Sequence, residues 1–132
     1  MKPTTYFAII EPTKTGYSLY FPDLLGCITC GKSLEETLKN AEEALGLHLW
    51  GMEKDNEEIP NPTIPPFVNE EIEKNSFIMP ITVYMALVKD EIETKAVKKT
   101  LTIPYWLNVE AEKAGINFSQ VLQVALKEKL NV

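Results

Sequence analysis

The feature that most restricts this chain lies at its end. Residues 95–132 pattern as one strand followed by two helices, an arrangement that cannot close a core by itself. Val97, Lys99, Leu101 and Ile103 alternate with Lys98, Thr100 and Thr102, the two-residue period of a strand. Pro104 ends that strand and suits the first turn of a helix expected over 105–114, with Leu107, Ala111 and Ala114 inward and Gly115 as its stop. Asn117 is placed as N-cap of a second helix, with Gln120 as capping-box partner and Ile116 and Val121 spaced for a hydrophobic staple. Val121, Leu122, Ala125, Leu126 and Leu130 form the apolar face of that helix. A lone strand leaves both edges unpaired, and a segment of under about 40 residues needs oligomerisation to hold a core. A dimer solves both problems. Two strands from two copies pair as an antiparallel ribbon with four helices behind it. Val97, Lys99, Leu101, Ile103, Val121, Leu122 and Ala125 are then the dimerisation residues.

Such a ribbon fits the major groove of DNA. Its outward side chains are Lys98, Thr100 and Thr102, which can reach guanine acceptors, base edges or a thymine methyl. The start of the second helix, at Asn117, Phe118 and Ser119, presents free amides to a phosphate. All 13 basic residues of the chain are Lys. Without the bidentate fork of Arg, each base contact is expected to be weak, and specificity to draw on DNA shape or on several dimers binding together.

The net charge of −6 over 132 residues points away from nucleic acid when taken whole. It is unevenly spread. Residues 95–132 hold six Lys and three Glu, a net of +3, and residues 1–94 hold seven Lys and 16 acidic residues, a net of −9. That asymmetry predicts two modules with different partners.

The first module reads as α+β. Thr5-Tyr6-Phe7-Ala8-Ile9-Ile10 and Tyr17-Ser18-Leu19-Tyr20-Phe21 form a hairpin around the turn Pro12-Thr13-Lys14-Thr15-Gly16, and a short third strand covers 27–30. Ser33-Leu34-Glu35-Glu36 is a capping box. Leu34, Leu38, Ala41, Leu45, Leu49 and Met52 follow at helical spacing as a core stripe. Residues 53–58 end the helix, and the four prolines of 59–66 exclude regular structure. Residues 69–75 are expected to form a short helical turn, 77–88 a buried fourth strand, and 89–94 a charged linker. The order is β-β-β-α-β, a sheet covered by a helix.

These motifs are similar to a known family. Phe21-Pro22-Asp23-Leu24-Leu25-Gly26-Cys27-Ile28-Thr29-Cys30-Gly31, then Ser33-Leu34-Glu35-Glu36 and Asn40-Ala41-Glu42-Glu43-Ala44-Leu45, resemble the HicB antitoxin family over roughly residues 5–88. The family usually has proline where this chain has Leu25. The resemblance implies a truncated ribonuclease H-like domain without the nuclease over 1–88. It also implies a small basic ribonuclease toxin of the HicA type as partner, with the catalytic His of the toxin masked in the complex. Residues 95–132 resemble the ribbon-helix-helix family through Lys98 to Pro104, Gly115-Ile116-Asn117-Phe118-Ser119 and the Val121/Leu122/Ala125 face. The expected function is a type II antitoxin that represses its own operon by binding operator DNA as a dimer, or as a higher oligomer if sheet edges pair again. The alternative is a ribbon-helix-helix regulator whose N-terminal module senses a small molecule.

An acidic module steers towards a basic partner. Its candidate toxin contacts are Asp23, Glu53, Asp55, Glu57, Glu58, Glu70 and Glu71. Catalysis is not expected. A ribonuclease H site needs converging carboxylates around metal ions, and the strands offer only Glu11 and Asp23, both beside turns. Cys27 and Cys30 form a lone C-x-x-C without a second ligand pair, and His48 is the only histidine. They read as two buried or half-buried thiols and a packed or surface imidazole. No metal or cofactor is expected. Apolar runs fall short of the ~18–20 residues of a membrane span, and Met1-Lys2-Pro3-Thr4-Thr5 lacks a signal-peptide pattern, so the expected location is the cytoplasm.

Overall fold

Thr4–Pro12 (β1), Tyr17–Tyr20 (β2) and Ile28–Gly31 (β3) are followed by Leu34–Lys54 (α1), Phe77–Val83 (β4), Met85–Thr94 (α2), Tyr105–Lys113 (α3) and Phe118–Leu130 (α4). The structure, a computed structural model, describes residues 2–67 and 70–132. The chain divides into two compact units, Met1–Lys95 and Ala96–Val132. At this boundary the charges become −8 and +2.

Unit 1 is a four-stranded antiparallel sheet in the order β3-β2-β1-β4. A direct strand-helix-strand crossover would leave β4 parallel to its neighbour. The long segment 55–76 gives the chain room to return, and β4 pairs with β1 antiparallel, from Thr4 opposite Val83 to Ile10 opposite Phe77. Tyr6, Ala8 and Ile10 alternate onto the helix-covered face, where they meet Leu19, Phe21, Ala41, Leu45, Leu49, Ile81 and Val83 in one buried core. Ile9 points to the opposite face and is buried as well.

The capping box forms with one shift. Ser33 Oγ accepts from the Glu36 amide at 3.1 Å, but the Glu36 carboxylate reaches past Ser33 to the Lys32 amide at 2.9 Å. The turn before β3 explains the departure at Leu25. Leu24 and Cys27 close a tight turn through their backbones, with Gly26 at φ +86° in its third position. A turn that needs a positive φ there favours proline at the position before it, and Leu25 occupies that position.

Four expectations are corrected. The fourth strand stops at Val83 instead of running to residue 88, and the supposed linker 89–94 is the second half of α2. Val88 and Ile92 sit at helical spacing on a half-buried side, and the charges of 89–94 lie on the turns between them. The expected helical turn near 70–75 is also absent. Residues 70–73 are irregular, and the chain turns at Lys74 and Asn75, the latter at φ +73°. Asn69, the first residue of that expectation, lies outside the described residues. Finally, Cys27 is buried but Cys30 is exposed on β3.

Unit 2 has no described strand. Residues 97–104, expected as a strand, belong to no helix or strand in the single chain; α3 follows, and α4 begins after Gly115. Gly115 at φ +67° lets the Ile116 amide bond Ala111 O at 3.1 Å and its own amide bond Glu112 O at 3.0 Å, a Schellman close to α3. Asn117 Oδ1 caps α4 by accepting from the Gln120 amide at 3.1 Å. Not one residue of unit 2 is buried.

Candidate functional site

The apolar residues of unit 2 converge on one open groove. Leu101 and Ile103 from the segment before α3, Leu107 and Ala111 from α3, and Val121, Leu122 and Ala125 from α4 line a cavity of about 550 Å³ together with Lys99. Of the seven expected dimerisation residues, all but Val97 line it. Val97 is 87% exposed elsewhere on the unit. Large apolar side chains are thus left open to solvent on a small unit.

The alternating residues of 97–103 divide between two surfaces. Lys98, Thr100 and Thr102 are exposed and take no part in the groove. At the start of α4, Asn117 spends its side chain on the cap. Phe118 and Ser119, expected beside phosphate, contribute to the groove wall. Their amides keep the direction of a helix N-terminus, where anions are favoured.

In unit 1 the acidic candidates fall into two groups. Asp23 and Glu70 are engaged within the fold. Both carboxylate oxygens of Asp23 accept from Thr63, Oδ2 from the amide at 2.7 Å and Oδ1 from the hydroxyl at 2.6 Å. Tyr6 O–H donates to Pro60 O, so two side chains pin the proline-rich segment to the sheet. Tyr20 O–H donates to Glu70 at 3.3 Å. Burial, reinforced by Asp23 for Tyr6 and by Glu70 for Tyr20, holds both phenols above their ordinary pKa. Glu53, Asp55, Glu57, Glu58 and Glu71 are exposed and have no ion-pair partner among the described residues. Glu57 and Glu58 edge a cleft with Leu25, His48 and Met52.

A second groove was not signalled by the sequence reading. Leu47 from α1, Tyr84 at the end of β4 and Leu87 from α2 are exposed on one surface, bordered by Glu42, Glu43 and Glu91. The one available clue was Leu47, an apolar residue lying off the core stripe of Leu45 and Leu49.

Nothing among the described residues gathers three His, Cys, Asp or Glu side chains into a metal-binding cluster. Burial pushes the Cys27 thiol from 9.0 up to about 11, away from thiolate chemistry. No described helix is long and apolar enough to cross a membrane.

The HicB-like antitoxin family of bacterial toxin-antitoxin systems matches residues 6–123, and thus both units. The chain belongs to this family. It is an antitoxin of a toxin-antitoxin system. A relative from Haemophilus phage HP1, an uncharacterized 14.9 kDa protein of the rep-hol intergenic region, is 34% identical over 101 residues, covering 75% of this chain and 72% of its own length. Among solved structures, the chain is similar to one in a toxin-antitoxin complex from Streptococcus pneumoniae, with a TM-score of 0.58 and 28% identity over 97% of this chain and 99% of that one. The crystal structure of antitoxin HicB3 shares the mixed α+β fold at a TM-score of 0.53 and 24% identity, over 95% of this antitoxin and 97% of HicB3.

Proposed function

We propose that this antitoxin neutralises a HicA-type ribonuclease toxin through unit 1 and, as a homodimer joined through unit 2, binds operator DNA and represses its own operon. The observation that carries the second half is the open groove of unit 2. A unit without one buried residue, whose second helix is nonetheless capped by Asn117, completes its core with a second copy. Pairing residues 97–104 with their counterpart satisfies the unpaired backbone and yields a ribbon-helix-helix dimer. Its outer face carries Lys98, Thr100 and Thr102 on each strand, with the α4 amides turned to phosphate.

For unit 1 the support is the charge of −8, which favours a basic RNA-binding partner. The β-β-β-α-β order supports the truncated ribonuclease H-like reading, and Asp23 serves Thr63 in place of a metal. In this reading the antitoxin is cytoplasmic, takes no cofactor and is not an enzyme.

The test of the DNA-binding half is the triple substitution K98A/T100A/T102A in the full chain. All three side chains are exposed, so the dimer should persist in sedimentation while binding to the upstream operator falls to the nonspecific level. Unchanged operator binding would remove the ribbon from the groove. For the toxin half, co-expression should rescue growth from the adjacent toxin.

A further inference from the structure

We propose that the toxin docks in the groove formed by α1, the end of β4 and α2, with an apolar side chain seated between Leu47, Tyr84 and Leu87 and flanking cations on Glu42, Glu43 and Glu91. This rests on the toxin-binding reading above and names its surface. The groove has a volume of about 470 Å³, the size of a specific ligand site. Leu47, Leu87 and Tyr84 are 58%, 57% and 43% exposed, and three large apolar side chains gathered from α1, α2 and the N-cap of α2 are not the scattered exposure of an ordinary surface.

The helix that forms one wall rests on the core through half-buried residues, Met85 and Val88. α2 has no buried residue. It is fixed to α1 by Val88 seated on Gly46, where a Cβ would lie 3.0 Å from Val88 Cγ2, and by Lys54 bridging to Glu93 at 2.8 Å. Its exposed Leu87 and Glu91 face the groove. Anchoring of this kind gives a wall that is held in place and left open.

Charge selects the occupant. None of Glu42, Glu43 and Glu91 has an ion-pair partner among the described residues, and Lys95 is the one cation on the rim. A second copy meeting this face by two-fold symmetry would set the same three carboxylates against each other, because an isologous contact repeats one patch. A basic protein meets complementary potential instead. The cleft at Leu25 and His48 is the weaker candidate, because one of its three carboxylates, Asp23, is already committed to Thr63.

The experiment titrates full-length antitoxin variants against the cognate toxin, its catalytic His replaced. Leu47→Lys with Leu87→Lys should weaken binding by about 30-fold or more, the scale of a central anchor. Glu43→Lys with Glu91→Lys should lower the association rate by about tenfold at low salt. Glu57→Lys with Glu58→Lys should change affinity by less than about threefold. Hydrogen exchange on the wild-type complex, which needs no variant to fold, should show protection at 43–47 and 84–91 and none at 53–58. Wild-type binding that the two groove variants leave intact, or protection elsewhere, overturns the groove and spares the antitoxin reading. A wild-type chain that binds no toxin overturns both. An antitoxin oligomer that dissociates when Leu47 and Leu87 are replaced, with no toxin present, assigns the groove to a second copy and overturns the proposal.

Discussion

The two units obey the same local rules and differ in what those rules achieve. Among the described residues, unit 1 buries 12 apolar side chains, including Tyr6, Phe21 and Leu45, in one core between sheet and helix. In unit 2, α4 starts on the Asn117 side-chain cap, and both helices close in left-handed residues, Gly115 and Asn131, yet the unit buries nothing. Capping and periodicity make helices. A core requires enough chain to surround it, and 37 residues in one copy do not suffice. Unit 1 should therefore behave as a concentration-independent fold, and unit 2 as a fold whose stability scales with protein concentration.

The largest effect comes from damaging each apolar set. Leu45→Ala empties a fully buried position in α1 and should cost unit 1 about 2–5 kcal/mol. This would appear as a lower urea midpoint at every protein concentration, with the antitoxin still dimeric. Leu101→Asp with Ile103→Asp should do the converse. Each carboxylate would be desolvated in the dimer at a cost of several kcal/mol, so sedimentation should find monomers at micromolar concentration. Operator affinity should fall by more than about 100-fold, while the unit 1 midpoint stays unchanged. A double variant that remains dimeric would erase the contrast between the units.

The difference between the units also sets how much was legible beforehand. The strands and α1 of unit 1 were readable because their alternation and their three-four spacing are driven by a face that ends up buried. Legibility failed at 77–94, where Ile81-Thr82-Val83 runs into Met85-Ala86-Leu87-Val88 without a polar break. A continuous apolar run carries no period that separates strand from helix. The charges of 89–94 then resembled a linker because they cover the solvent side of α2. The contacts of Asp23 and Glu70 were not legible, since a hydrogen bond across 40 residues, such as Asp23 to Thr63, leaves no local pattern. In unit 2 a strand was expected from alternation, and the single chain shows no strand at 97–104; a ladder partner there belongs to the proposed dimer.

Alkaline titration should separate the units next. Cys27, buried beneath α1 with its thiol directed to Ala44 O, has its pKa pushed from 9.0 up to about 11. The folded thiol keeps its proton where the unfolded one loses it, so unfolding releases a proton between those values. Stability from this source is complete below pH 9 and lost as pH rises towards 11. With about 1.4 kcal/mol per unit of difference, the loss approaches roughly 2–3 kcal/mol. Tyr6 and Tyr20, also raised by burial, add to the decline above pH 10. The urea midpoint of unit 1 should fall from pH 8.5 to pH 10.5, and Cys27→Ala should flatten that slope. The dimerisation of unit 2, which holds no cysteine, should lack this contribution.

The smallest effect is the most discriminating, because the two units carry nearly the same bond. Ser33 Oγ and Asn117 Oδ1 each accept from an amide three residues on, both at 3.1 Å. Replacing either cap with alanine should cost about 1 kcal/mol locally. In unit 1, Ser33→Ala should shift the urea midpoint by that amount at any concentration, with the Glu36 bond to the Lys32 amide left in place. In the proposed dimer of unit 2 the cap counts once per copy, with folding coupled to pairing. Asn117→Ala should therefore cost the dimer about 2 kcal/mol, raising its dissociation constant roughly 25-fold. The same deletion would be read once as a midpoint and once as a dissociation constant. If Asn117→Ala instead shifted a concentration-independent transition of unit 2, that unit would hold a core of its own, and its open groove would have to be kept for something other than a second copy.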